Sequence, residues 1–173
     1  MMRFARGNVE AQIELARSEG VRADLSGLDL SGLNLSEMDL SWSTFEGSNC
    51  EDLDFSESNI SSCNFYNDNL SGAVLYNTNL HGTYWIGLVI ERIFGDTFYL
   101  IPTPSGWEIQ VGTFSGSPEN LYPGNIRASD FSIDEKKMRE GIEAIHSLCE
   151  LHMRNNAQLM EELRQHWKRY QSW

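Results

Sequence analysis

The sequence predicts a mainly β fold built on a repeat solenoid, with a helix ahead of it and a small antiparallel sheet plus helices behind. Three observations carry that prediction. Residues 23–82 count in fives without a slip, the residues just after them are β-branched and aromatic in short runs parted by turn residues, and the C-terminal residues place apolar side chains at alternating spacings of four and three. An α-helix repeats its buried face every 3.6 residues and a strand every 2, so a period of five belongs to neither. Self-similarity at a fixed period marks units that bury their apolar side chains only by stacking on neighbours.

Taken in order, residues 8–19 read as a helix, with Asn8 as its cap, Val9, Ile13 and Ala16 as its apolar stripe and Gly20 as its end. An open solenoid end exposes apolar side chains and unpaired strand edges, so residues 1–20 are expected to cover it. In the repeat, residues 21–83, the central positions are Leu25, Leu30, Leu35, Leu40, Phe45, Cys50, Phe55, Ile60, Phe65, Leu70, Leu75 and Leu80. The residue before the centre is Asp or Asn in ten of the twelve units, and the residue after it is most often Ser. Short polar side chains there bond to nearby backbone, which suits a chain that turns a corner every five residues.

These residues resemble the pentapeptide-repeat family, whose unit is a small residue, Asp or Asn, Leu or Phe, Ser or Thr, then a free position. The resemblance implies a right-handed quadrilateral β-helix with four units to a coil, hence three coils here, rising about 15 Å at a strand spacing of about 4.8 Å. Residues twenty apart then share a face. Leu28, Leu33 and Met38, large residues at normally small inward positions of the first coil, are expected to meet the N-terminal helix. Trp42 and Tyr66 fall at outward positions and Asp68 at an inward one.

After His81-Gly82 the count stops. Residues 84–94, 97–101 and 107–111 read as strands of a small antiparallel sheet within residues 84–131, with turns at Gly95-Asp96 and at Pro102 to Gly106, and with Gly112-Thr113-Phe114-Ser115-Gly116 as a loop. The stretch Gly106 to Gly116 resembles the short domain that follows the repeats in phage-encoded members of the family. Residues 120–130 read as a linker. In residues 132–173, Ser132 and Glu135 have capping-box spacing, and Met138, Ile142, Ile145, Cys149, His152, Asn156, Leu159, Leu163, His166 and Tyr170 form a heptad-like seam. A single helix over 133–171 would extend about 58 Å at 1.5 Å per residue. Either the chain folds back near Asn155-Asn156 as a hairpin, or the helix protrudes and pairs with a second copy. Ile142, Ile145, Leu159, Leu163, Trp167 and Tyr170 are the candidate homodimer interface.

The 173 residues carry a net charge of −12, and the charge is local. Residues 20–82 hold ten acids against Arg22 alone. Glu37, Asp39, Glu51, Asp52, Asp54 and Glu57 gather on two adjoining faces, a field that repels nucleic acid and attracts basic proteins. With Trp42 as an aromatic anchor they are the candidate partner-binding residues. Direct nucleic-acid binding and membrane insertion are not expected. Three cysteines without paired spacing suggest reduced thiols, and no secretory run follows Met1 to Arg6, so a cytoplasmic location is expected.

Catalytic groups are not evident. His146, Cys149 and His152 are spaced to approach one another on a helix, but they lack a fourth ligand and any Cys-x-x-Cys pairing, so neither a metal nor a cofactor is expected. Carboxylates facing water are poor acid–base catalysts. Two functional readings remain. In the first, the acidic face mimics DNA, which carries about one charge per 1.7 Å of axis, and inhibits a nucleic-acid-binding protein. The resemblance implies DNA gyrase as the target, as for longer members; the shortness of the array counts against it, and the acidic face with the phage-like tail favours a smaller target such as a host nuclease or CRISPR complex met by a phage counter-defence protein. In the second, the solenoid is a rigid scaffold and the C-terminal sheet and helices bind a protein partner without mimicry.

Overall fold

The computed structural model describes residues 4–93, 96–112, 114–122 and 135–170. The chain divides into two units, Met1–Trp85 and Ile86–Trp173. The first consists of helix α1 (Arg6–Glu19) and the repeat. Every bridge in the repeat is parallel and joins residues twenty apart, from Asp24 with Thr44 to Asn64 with Tyr84, so one coil takes twenty residues and the segment is a β-helix. The central residues point inward, and Leu25 to Leu75 are all 5% exposed or less. Phe45 and Phe65 stack at 4.6 Å between ring centroids, and Phe55 meets both edge-on at 5.8 and 5.6 Å. Inward hydroxyls are satisfied by the wall itself: those of Ser48, Thr78 and Thr83 donate to the carbonyls of Leu25, Phe55 and Ile60, each twenty-three residues back.

Helix α1 is laid across the first coil. Arg6 Nη1 donates to the Asn34 and Ser36 carbonyls, Gln12 Nε2 to the Asp24 carbonyl, and Arg17 Nη2 to Asp39, both to its carbonyl and to its carboxylate at 2.7 Å. Val9, Ile13 and Ala16 are buried, as is Met38, while Leu28 and Leu33 are half-buried. Gly20 ends the helix in the left-handed conformation at φ 69°. The start differs from the expected one. The helix begins two residues earlier, and Ala5, not Asn8, is the N-cap; Asn8 sits in the first turn, where its Oδ1 accepts the Ala5 N–H at 2.9 Å. An amide serves either position, and the sequence does not distinguish them.

The second unit is a four-stranded antiparallel meander, β1 (Leu88–Ile93), β2 (Asp96–Thr103), β3 (Gly106–Val111) and β4 (Phe114–Gly116), followed by a 3-10 turn at Pro118–Asn120. Strand β4 replaces the expected loop at Gly112 to Gly116: its three residues are too few to show alternation, yet Ile109 to Val111 on β3 supply partners. Strand β2 also continues through Pro102 and Thr103, which were expected in a turn, because they pair with Trp107 and Gly106. The expected turn at Gly95, the linker after Tyr122 and the capping box at Ser132 lie outside the described residues.

Helices α2 (Glu135–Asn155) and α3 (Ala157–Tyr170) meet at Asn156. There the chain breaks as expected, but the helices do not pack on each other as a hairpin. Helix α2 buries Met138, Ile142, Ile145 and Cys149 against Phe98, Leu100, Ile109 and Val111, whereas α3 buries Met160, Leu163 and Trp167 against Ile86 and Trp107. Asn156 serves both helices: its N–H and Nδ2 donate to the His152 carbonyl, and its own carbonyl accepts the Met160 N–H. No helix among the described residues is long and apolar enough to cross a membrane.

Candidate functional site

The repeat dictates where its outward residues stand. The residue two after each centre turns the corner at positive φ, and most such positions hold Gly, Ser or Asn. Four do not: Glu37 at φ 61°, Trp42 at 62°, Asp52 at 55° and Glu57 at 58°. The left-handed conformation costs an L-residue about 1–2 kcal/mol, with Gly and, more weakly, Asn or Asp excepted. Glu37 and Glu57, twenty apart and so one above the other on a single corner, are both exposed. Glu51 and Asp52 are exposed at the corner before it.

The other two acids of the expected patch are held differently. Asp39 and Asp54 precede a centre, and each folds its Oδ1 onto the N–H two residues on, Ser41 at 3.1 Å and Ser56 at 2.9 Å. They also belong to columns of side-chain bonds between coils. Asn79 Nδ2 donates to Asn59 Oδ1, and Asn59 Nδ2 to Asp39 Oδ1; likewise Asn69 donates to Asn49 and Asn49 to Asp29. In the third column the direction reverses, with Asn34 Nδ2 donating to Asp54 Oδ2 at 3.2 Å. Partial burial pushes the Asp39 carboxyl up, but the Ser41 bonds, the Arg17 guanidinium and Asn59 outweigh it and leave it below the usual carboxylate range. Of the six acids, Glu37, Glu51, Asp52 and Glu57 thus face outward, while Asp39 and Asp54 also brace the wall. Arg17, unremarked in the sequence, covers Asp39.

Trp42 is half exposed, with the Arg22 guanidinium 5.8 Å from its ring centroid. Tyr66 is half-buried and lies 6.0 Å from Tyr84. Asp68 points inward as its position requires and is 3% exposed. Its Oδ1 shares the Ser48 N–H, and its buried Oδ2 has no hydrogen-bond partner. Burial pushes this carboxyl well above the usual range, against the backbone N–H groups of Ser48 and Gly47, and Glu46 adds to the rise.

In the second unit, Ile142, Ile145, Leu163 and Trp167 are buried within their own chain, and Leu159 is half-buried. That corrects the expectation of an exposed stripe for a second copy: a helix bent at Asn156 brings those side chains onto the sheet. The Tyr170 side chain lies outside the described residues. His152 Nε2 is 2.7 Å from the Ile86 carbonyl and its ring is edge-on to Trp107, while Cys149 is in the apolar cluster, its thiol pushed up to about 11 by burial. Among the described residues no three His, Cys, Asp or Glu side chains are gathered as metal ligands would be.

Comparison with known proteins falls on the repeat. Residues 23–61 and 54–84 match the family model of pentapeptide repeats, in eight copies. No curated protein matches the chain. Among solved structures, a pentapeptide repeat protein from the cyanobacterium Cyanothece 51142 is 28% identical over 37% of this chain and 50% of its own, with a TM-score of 0.26. A pentapeptide repeat protein from Nostoc Pcc 7120 is 25% identical over 43% of this chain and 73% of its own, with a TM-score of 0.22. One from the Arabidopsis thaliana thylakoid lumen is 25% identical over 46% of this chain and 66% of its own, with a TM-score of 0.21. The chain thus spans half the length of the Cyanothece protein. Residues 23–84 are a pentapeptide-repeat segment folded as a β-helix.

Proposed function

We propose that the chain is a non-catalytic interaction protein that presents the acids of its repeat segment to a basic protein surface of the kind that binds nucleic acid, and that it inhibits that protein by occupying the surface. The observation that carries this reading is the placement of Glu37 and Glu57. Two like charges one above the other, each on a left-handed corner, destabilise the wall twice over, through backbone strain and through repulsion. Strain retained at a surface position is a pointer to use outside the fold. Glu51 and Asp52 extend the negative field to the next corner, and Trp42 adds a large aromatic face on the other side. A phage counter-defence role, or gyrase as the target, are narrower forms of the same proposal.

The test is capture from a bacterial lysate on the immobilised chain, at low and high salt and with duplex DNA as competitor. Retained proteins should be nucleic-acid-binding, should elute with salt because the contact is electrostatic, and should be displaced by DNA. They should be lost from a Glu37→Lys, Glu51→Lys, Asp52→Lys, Glu57→Lys variant that still folds. Retention unchanged by those four reversals would refute the reading and leave the C-terminal unit as the recognising part.

A further inference from the structure

Helix α2 has a second face, away from the sheet. Ala144, Leu148 and Leu151 stand on it at i, i+4 and i+7; Leu148 is 44% exposed and Leu151 47%. Ser147 lies beside them with its hydroxyl bonded to the Glu143 carbonyl at 2.9 Å, so it adds a small surface whose polar group is already satisfied. Glu140, exposed and loosely paired with Lys136 at 3.8 Å, and exposed Arg154 flank the strip at its two ends. The order along the helix is therefore acid, small, small, large, large, base.

We propose that this face pairs antiparallel with the same face of a second copy, making α2 the centre of a two-fold dimer. The pattern is self-complementary. A two-fold axis between Ser147 and Leu148 sets Leu151 of one copy over Ala144 of the other and Leu148 beside Ser147, large against small, as close helix packing requires. It also sets Arg154 opposite Glu140. At 1.5 Å per residue Glu140 lies about 11 Å from the axis and Arg154 about 10 Å, a mismatch that both side chains span. A parallel arrangement would instead put Glu140 on Glu140 and Arg154 on Arg154. The proposed face lies opposite the stripe of Ile142, Ile145 and Cys149 that the sheet consumes, so the fold and the dimer draw on different residues of one helix.

The apolar centre is four half-exposed leucines, and each chain carries −12, so the dimer is a weak one, with Kd on the order of 100 μM. Sedimentation equilibrium on the full chain tests it, from about 5 to about 500 μM at a salt concentration where the Debye length is about 8 Å. The expected result is a mass rising towards that of a dimer at the upper end. Glu140→Arg alone and Arg154→Glu alone each place like charges across the axis and should weaken association about tenfold; the double reversal should restore it to within about threefold. Leu151→Glu should leave a monomer. All three substitutions are on an exposed face, and unchanged thermal melts establish that each of the four variants folds. A monomer at every concentration overturns the proposal, and so does a dimer indifferent to the single reversals or a double reversal no better than either single change.

Discussion

Replacing Asp68 by serine should stabilise the repeat at neutral pH, although it removes a residue that is buried and hydrogen-bonded. The carboxyl is 3% exposed, its Oδ2 has no partner, and the Ser48 N–H that its Oδ1 accepts already donates to the Phe45 carbonyl at 2.8 Å. Nothing is orphaned when the carboxyl goes. A hydroxyl there gains a carbonyl partner as the other inward hydroxyls do: Ser48, Thr78 and Thr83 reach the one twenty-three residues back, and Ser43 and Ser58 the one three back, which for position 68 are those of Phe45 and Phe65. Removing a buried unsatisfied polar atom relieves about 1–3 kcal/mol. For a chain of this size, about 2 kcal/mol corresponds to a rise in Tm of about 4–8 °C.

The pH dependence has a definite sign. The folded Asp68 carboxyl is held well above its ordinary value, so between that value and the raised one the folded chain binds a proton that the unfolded chain has released. Stability from this group is therefore full below the ordinary carboxylate range and is lost as pH rises through the folded value. The advantage of Asp68→Ser should accordingly be small near pH 4 and grow towards pH 7. Urea melts of both proteins across that interval give the difference directly, free of the other acids they share. A variant less stable than the parent at pH 7, or a gap that does not change with pH, would refute the argument.

Further outcomes follow from the corners and the helix joint. Glu37→Asn and Glu57→Asn, which install the residue found at Asn77 on the same corner, should each stabilise the fold by about 0.5–1 kcal/mol in urea melts while weakening capture of a basic partner. Gly72→Ala should cost more than Gly27→Ala by about 1 kcal/mol in the same melts: both have left-handed backbone, but a Cβ on Gly72 would run into the Asp52 carboxylate whereas one on Gly27 meets nothing within 4 Å. The difference should vanish in an Asp52→Ala background. Asn156→Ala removes the side-chain bond to the His152 carbonyl and should destabilise the second unit by about 1 kcal/mol, read from the loss of helical ellipticity on heating.

Much of the repeat was legible because its signal is redundant. Leu25, Leu30 and their successors recur at a period that neither a helix nor a strand shares, and each inward position repeats the requirement of the one twenty residues before. The cap was legible for a similar reason, since Val9, Ile13 and Ala16 need a surface to cover. The acids were not separable by type. Asp39 and Glu37 look alike in a charge count, yet one is bonded into the wall and the other stands on a strained corner, and only backbone dihedrals and coil-to-coil partners tell them apart. The C-terminal seam misled because its heptad spacing states that one face is buried and not by what. Trp167 and Leu163 found Trp107 and Ile86, residues more than fifty positions away that no periodicity links to them. Strand β4 was lost because three residues, the last of them a glycine, carry no pattern.

The side-chain columns between coils give the acidity an address. An asparagine accepts a bond from one neighbour and passes another on, so it suits the interior of a column; an aspartate accepts and stops. In the two columns that run from Asn69 and from Asn79, the amides all point the same way, and each line ends on an aspartate of the first coil, Asp29 or Asp39. These two columns thus have a direction, like files of dominoes leaning towards the first row, and a carboxylate is the natural stop. Some of the charge crowded at that end is there to finish a line of hydrogen bonds. A coil inserted in the middle would call for asparagines at these positions, and one added in front would move the aspartates forward with it.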